Sequence, residues 1–319
     1  MKVSLSIIVP VYNTSMFLDR CFTSVFKNET SFHYEVIAVD DCSTDNSLEL
    51  LNKLKDKKPE NCTFKVIHLD QNQGVQNARF VGLDNASGEF VYFIDSDDEI
   101  APDCIQEIVT KMSNDDLDIL YNNVLLDNGA EQVPLLSEND FNRVKEYGPH
   151  LESLIFAAFG YLHSHPFKKS LLDKVDRTVL PKMKLMEDLD YLIEISRFSS
   201  SKIDVLNKNL YIYYQSKSWH IEKMDKVRAE DSLYVINKRY NEIKESYPEH
   251  LELFKKANLN TCLRLINAVK KSKNFENNER KEILKKIKSE ESISECINIS
   301  FKQFMKLGMK DKIRYVLYK

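Results

Sequence analysis

The sequence predicts an α/β fold with a mostly parallel sheet, followed by a helical C-terminal region, and three observations lead there. Short β-branched runs alternate with helix-like stretches over the first hundred residues, each run ends in a polar loop, and the pattern turns wholly helical after about residue 222. The chain has 319 residues, 43% hydrophobic and 29% charged, which is ordinary globular composition.

The elements follow in order. "LSIIVPVY" (5–12), "YEVIAVD" (34–40), "FKVIHLD" (64–70) and "EFVYFID" (89–95) read as buried strands. Helix-like segments at about 14–28, 45–57 and 74–86 separate them, which implies right-handed crossovers. From about 115 to 215 the alternation loosens into strands such as "LDILYNNV" and "NLYIYYQ" with helical pieces between them. The expected division is one domain over 1–221, with a first half to about 115 and a second over 116–221, and a helical region over 222–319. Gly308 is the single glycine of that last part.

Charge and cysteine usage narrow the function. A formal net charge of −4 argues against bulk binding to nucleic acid. Six scattered cysteines without a C-x-x-C pair, and no legible secretory leader, predict a reduced cytoplasmic protein. The first strand is too short to span a bilayer.

In an open parallel sheet, ligands bind beyond the carboxyl ends of the strands. The rule selects "VYNTS", "DDCSTDNS", "DQNQG" and "DSDDE". Asp95, Asp97 and Asp98 stand within four residues, and like charges held that close repel unless a cation or amide donors lie between them. Oxygen ligands of this kind suit Mg²⁺ or Mn²⁺ bridging to phosphate. No glycine-rich phosphate cradle is present, since Gly74, Gly82 and Gly88 have the wrong spacing.

The ordered blocks "SIIVPVYN", "EVIAVDDCSTD", "NQGVQNARFVGL", "GEFVYFIDSDD" and "KLMEDLDYL" resemble the family 2 glycosyltransferases of GT-A fold, over about residues 4–215. The resemblance implies an inverting, metal-dependent transfer of sugar from a nucleotide donor, UDP-linked, to a hydroxyl of a glycan or lipid-linked acceptor, in bacterial polysaccharide assembly. It implies that Pro10, Tyr12 and Asn13 flank the base, that Asp41 accepts from the uracil ring, and that Arg79 approaches the nucleotide. Asp95 would face the ribose or the metal, Asp97 would bind the metal, and Asp188 would be the base with Glu187 beside it. Cys42 stands where the family often has glycine, and Phe80 follows Arg79 where asparagine is usual.

Further candidates come from chemistry. His220 in "KSWHIEK" suits a metal ligand, and Trp219 suits stacking on an acceptor sugar. "HSHP" (163–166) invites a metal reading, but a strand puts both imidazoles on one face with no further ligand at fixed spacing, so packing or acceptor contact is expected. Residues 301–319 hold six Lys or Arg against one Asp, a basic segment suited to an anionic membrane, a solvated face or contact between copies of the chain. A sugar nucleotidyltransferase would show a glycine-rich basic loop after its first strand, which "VYNTSMFLDR" lacks. A receiver-type domain would place its paired acids after the first strand. A non-catalytic sugar-binding protein would need no "ED" helix.

Overall fold

The computed structural model describes residues 2–200, 202–214 and 223–298, together with Lys312 and Tyr315. The described chain divides into two compact units, one of residues 1–149, 159–182 and 191–215, the other of 150–158, 183–190 and 216–319.

The first unit is built on a nine-stranded mixed sheet flanked by helices. β1 (Leu5–Val11), β2 (Tyr34–Asp40), β3 (Cys62–His68) and β4 (Phe90–Phe93) pair in parallel in the order β3-β2-β1-β4. The crossovers run through α1 (Ser15–Phe26), α2 (Ser47–Leu54) and α3 (Val75–Asp84). Every residue of β1 and β2 is buried, which is why both read as mainly apolar runs rather than alternating ones.

Beyond β4 the sheet mixes directions. β5 (Glu99–Ile100), α4 (Cys104–Asn114), β6 (Ile119–Asp127) and β7 (Gln132–Pro134) come next in the chain. They are followed by α5 (Glu138–Ile155), β8 (Phe167–Lys168), α6 (Lys169–Leu172), α7 (Glu187–Arg197) and β9 (Ile203–Tyr214). β8 is antiparallel to β4 and β6, β7 to β6, and β5 to β9, while β6 and β9 are parallel. The parallel rule thus holds where single-helix crossovers join the strands and lapses where short strands and long excursions replace them.

One close approach and one buried carboxylate tie the parallel strands to what surrounds them. A Cβ on Gly82 of α3 would stand 2.4 Å from Ile8 Cγ2, so α3 lies directly on β1. At the other end of the strands, buried Glu35 accepts from Ser6, Lys65 and the Ser87 amide and hydroxyl, tying β2 to β1 and to the turn before β4.

The second unit gathers α8 (Lys226–Ser246), α9 (Leu251–Lys271), α10 (Asn277–Ser289) and α11 (Glu291–Ile297), matching the helical reading of that part of the sequence. Arg239 of α8, 1% exposed, donates to the carbonyls of Leu154 and Ile155, and Asn258 of α9 donates to Ile155 as well. Asp190, in the first turn of α7, pairs with Lys238 of α8 at 2.5 Å. No helix among the described residues is long and apolar enough to cross a membrane.

Candidate active site

The polar loops converge at the carboxyl edge of the parallel strands and bond to one another. Asn13, in the left-handed region at φ 53°, accepts from the amides of Thr44 and Asp45 through Oδ1. Its own amide donates to Ser43 Oγ. Asp45 accepts from the amides of Ser15 and Ser47, so it spans two loops, and these bonds outweigh burial and hold its carboxyl down at about 2. The hydroxyls of Thr14 and Ser96 meet at 2.9 Å, joining the first loop to the acidic one.

Among the residues expected at the base, Pro10 is buried in β1 and Tyr12 is exposed. Asp41 is buried, and its two carboxylate oxygens accept from the amides of Gln73 and Gly74 at 2.8 Å. Each oxygen has a second lone pair for a further donor, so the bonds to the "NQG" loop and a bond to a base are compatible. Cys42 sits at φ 59°, a conformation that L side chains rarely adopt, which accounts for glycine being usual there.

The acidic loop carries the strongest electrostatics. Arg79, 4% exposed on α3, donates to Asp95 Oδ1 at 2.9 Å. Burial pushes the Asp95 carboxyl up, but Arg79 and then His163 outweigh it and hold the group well below the usual carboxylate range. Asp97 is exposed, and its backbone carbonyl accepts from Arg20 of α1. The Arg20 guanidinium also pairs with Glu99 at 3.2 Å and lies 3.6 Å over the Tyr214 ring. Asp98 is fully buried, accepting from Tyr211 Oη at 2.7 Å and from the Tyr214 amide at 2.9 Å. Burial, then the charges of Asp95 and Asp97, raise it to about 8 against those two bonds.

The arrangement of these side chains is the test of whether a dication suits them. Asp95, Asp97 and Asp98 bring like charges together in one loop, and a divalent cation among Asp95, Asp97 and the neighbouring groups would relieve that repulsion. The donor set of carboxylate oxygens with one imidazole nitrogen suits Mn²⁺ or Mg²⁺. One ligand atom each from Asp95, Asp98 and His163 lies within 4.8 Å of the others.

His163 is the residue that sequence spacing did not assign. "HSHP" enters a 3-10 turn (Leu162–Ser164) rather than a strand, so the two imidazoles serve different places. His165 meets the expectation of packing, lying against Tyr121 at 4.6 Å and Phe159 at 5.8 Å with Nδ1 on the Tyr161 carbonyl. His163 instead stacks on Tyr211 and turns Nδ1 toward Asp95. Asp98 and Tyr211 were equally hard to assign, since the bond between them joins the acidic loop to β9 across more than a hundred residues of chain.

Glu187 and Asp188 open α7, and the residue before them, Met186, sits at φ 66°. Trp219, His220 and the basic segment 301–319 lie outside the described residues, apart from Lys312 and Tyr315.

Comparison with known proteins adds to this geometry. A family model described as glycosyl transferase family 2 matches residues 6–175. "Glycosyltransferase GlyA" of Streptococcus pneumoniae serotype 4 is 29% identical over 223 residues, 66% of this chain and 30% of that protein. The poly(ribitol-phosphate) beta-N-acetylglucosaminyltransferase TarS of Staphylococcus aureus is 30% identical over 216 residues, 66% of this chain and 35% of TarS. The chain therefore spans only a part of both. The crystal structure of TarS 1–349 in complex with UDP-GlcNAc aligns with TM-score 0.55 and 19% identity, covering 99% of this chain and 79% of that one. The mannosyltransferase PcManGT from Pyrobaculum calidifontis, in complex with GDP-Man and Mn²⁺, aligns with TM-score 0.58 and 15% identity, covering 100% and 84%. At these identities the structural likeness shows the fold.

Proposed function

Because the chain belongs to glycosyl transferase family 2, we propose that it moves a sugar from a UDP-linked donor to a hydroxyl of a glycan or lipid-linked saccharide, with inversion at the anomeric carbon. The observation that carries the reading is the acidic loop at the carboxyl end of β4, where ligand atoms of Asp95, Asp98 and His163 lie within 4.8 Å of one another. UDP-GlcNAc in the TarS structure, and GDP-Man with Mn²⁺ in PcManGT, support a nucleotide sugar and a divalent cation.

In this reading Asp95 and Asp97 hold Mn²⁺ or Mg²⁺, which when bound neutralises charge building on the departing diphosphate. Arg79 fixes the carboxylate of Asp95, while Pro10, Tyr12, Asn13 and Asp41 receive the base. Asp188, assisted by Glu187, takes the proton from the acceptor hydroxyl as its oxygen attacks the anomeric carbon and the bond to the diphosphate breaks. No covalent glycosyl-enzyme is needed, because attack comes from the face opposite the leaving group.

The test is hydrolysis of a panel of UDP-sugars with Mn²⁺ and with chelator, followed by product anomer analysis. One donor hydrolysed only with the metal is expected. Turnover unaffected by chelator, or products of retained configuration, would overturn the reading.

A further inference from the structure

An imidazole that is 3% exposed needs a reason for its nitrogens, since an unbonded buried polar group costs about 1–3 kcal/mol. His163 Nε2 is enclosed and has no hydrogen-bond partner among the described residues, so Nδ1 is the nitrogen turned to the acidic loop. Nδ1 faces Asp95 Oδ2 at 3.8 Å, past hydrogen-bond length. Packing alone does not explain the residue. Its ring stacks on Tyr211 at 4.2 Å and 8°, and on Tyr161 at 5.3 Å, contacts that a phenyl ring would make as well. The stack does fix the ring plane, and Tyr92 Oη holds the His163 carbonyl at 2.8 Å.

The oxygens of Asp95 are divided between two neighbours. Oδ1 is taken by Arg79, and Oδ2 faces His163. Asp95 is also the partly open member of the cluster, its side chain 30% exposed, whereas both oxygens of Asp98 are engaged by Tyr211 and Tyr214. Neighbouring ligands in an octahedral shell with bonds of 2.0–2.1 Å stand about 3 Å apart, so a small side-chain rotation brings Asp95 Oδ2 and His163 Nδ1 onto one cation.

We propose that His163 is the nitrogen ligand of the divalent cation in this chain, beside Asp95, with Asp98 lying beneath the pair. The proposal rests on the metal-assisted reading above and adds a selectivity to it. An imidazole nitrogen favours a transition-metal ion over Mg²⁺, so of these two ions the site takes Mn²⁺ in preference to Mg²⁺.

The experiment reads Mn²⁺ directly, by electron paramagnetic resonance with UDP present, on the full chain. In protein labelled with ¹⁵N-histidine, pulsed measurements are expected to show ¹⁵N coupling to bound Mn²⁺. His163→Gln should abolish that coupling and weaken Mn²⁺ binding about tenfold or more. Mg²⁺ binding, followed by competition, should change far less. The coupling should survive His220→Ala. Coupling that persists in His163→Gln, or that disappears in His220→Ala, overturns the proposal. His163→Asn serves as a second replacement, with thermal melts to confirm folding; if neither variant folds, the labelled natural chain decides, and bound Mn²⁺ without histidine coupling overturns the assignment while leaving the metal reading standing. Failure of the natural chain to bind Mn²⁺ with UDP present overturns both.

Discussion

Single side chains already carry sharp expectations. A general base contributes about 10²–10⁴ in rate, so Asp188→Asn should lower transfer by that order and leave UDP affinity intact by calorimetry. Near-normal turnover in that variant would remove Asp188 from the chemistry. His165 gives a pH dependence. Burial, opposed by the bond to the Tyr161 carbonyl, lowers its pKa to about 3. The unfolded chain takes up a proton below about pH 6.5 while the folded one does not, so this stability is present above about 6.5 and is lost as pH falls toward 3. Urea unfolding between pH 7.5 and 4.5 should show a loss of at most about 1.4 kcal/mol per pH unit from this group, and His165→Phe should flatten the profile. An unchanged slope would refute the argument. Strain is the third case, with Cys42 at φ 59°. Cys42→Gly should raise stability by about 0.5–1 kcal/mol in urea melts, and an equal gain from Cys42→Ala would show that backbone strain was not the cause.

Helices and strands differ in how far their positions can be read in advance. β1 to β4 and α1 to α3 are legible to within two or three residues, because buried β-branched runs between turn residues have few other readings. β5 and β8 are two residues each and carry no periodicity, so they appear only once their partners are known. The same limit hides Arg239. Nothing in "VINKRYNEI" marks this cation as buried, since its partners are carbonyls at the end of α5 rather than acids at helical spacing. Burial outweighs the nearby Glu152 and lowers its pKa to about 10. Arg239→Met should therefore destabilise the second unit by about 3 kcal/mol or more in urea melts, since the carbonyls of Leu154 and Ile155 and the buried Glu152 lose their positive partner. A change below about 1 kcal/mol would mean that water substitutes for the guanidinium.

For the molecule as a whole, the order of the loops along the chain says where chemistry gathers, and the pairing of residues within that edge does not follow from it. Asp95 and Asp97 are legible from their own spacing. Their neighbours His163 and Tyr211 come from a 3-10 turn and from β9, and no local pattern ties either to the acidic loop. Metal dependence is the expectation at this scale. UDP affinity measured by calorimetry should fall at least tenfold in excess EDTA and after Asp97→Ala, because the diphosphate would then meet uncompensated carboxylates, whose repulsion at about 4 Å is several kcal/mol at a partly buried site. Unaltered affinity in both would sink the scheme. One tight spot in the interior bears on the same affinity. Gly82 rests against Ile8, and Arg79 lies three residues earlier on that helix, so the two share a face. Adding a single methyl at position 82 would lever the helix off the sheet and carry the guanidinium with it, so that drift in substrate grip could begin at a carbon no substrate ever touches.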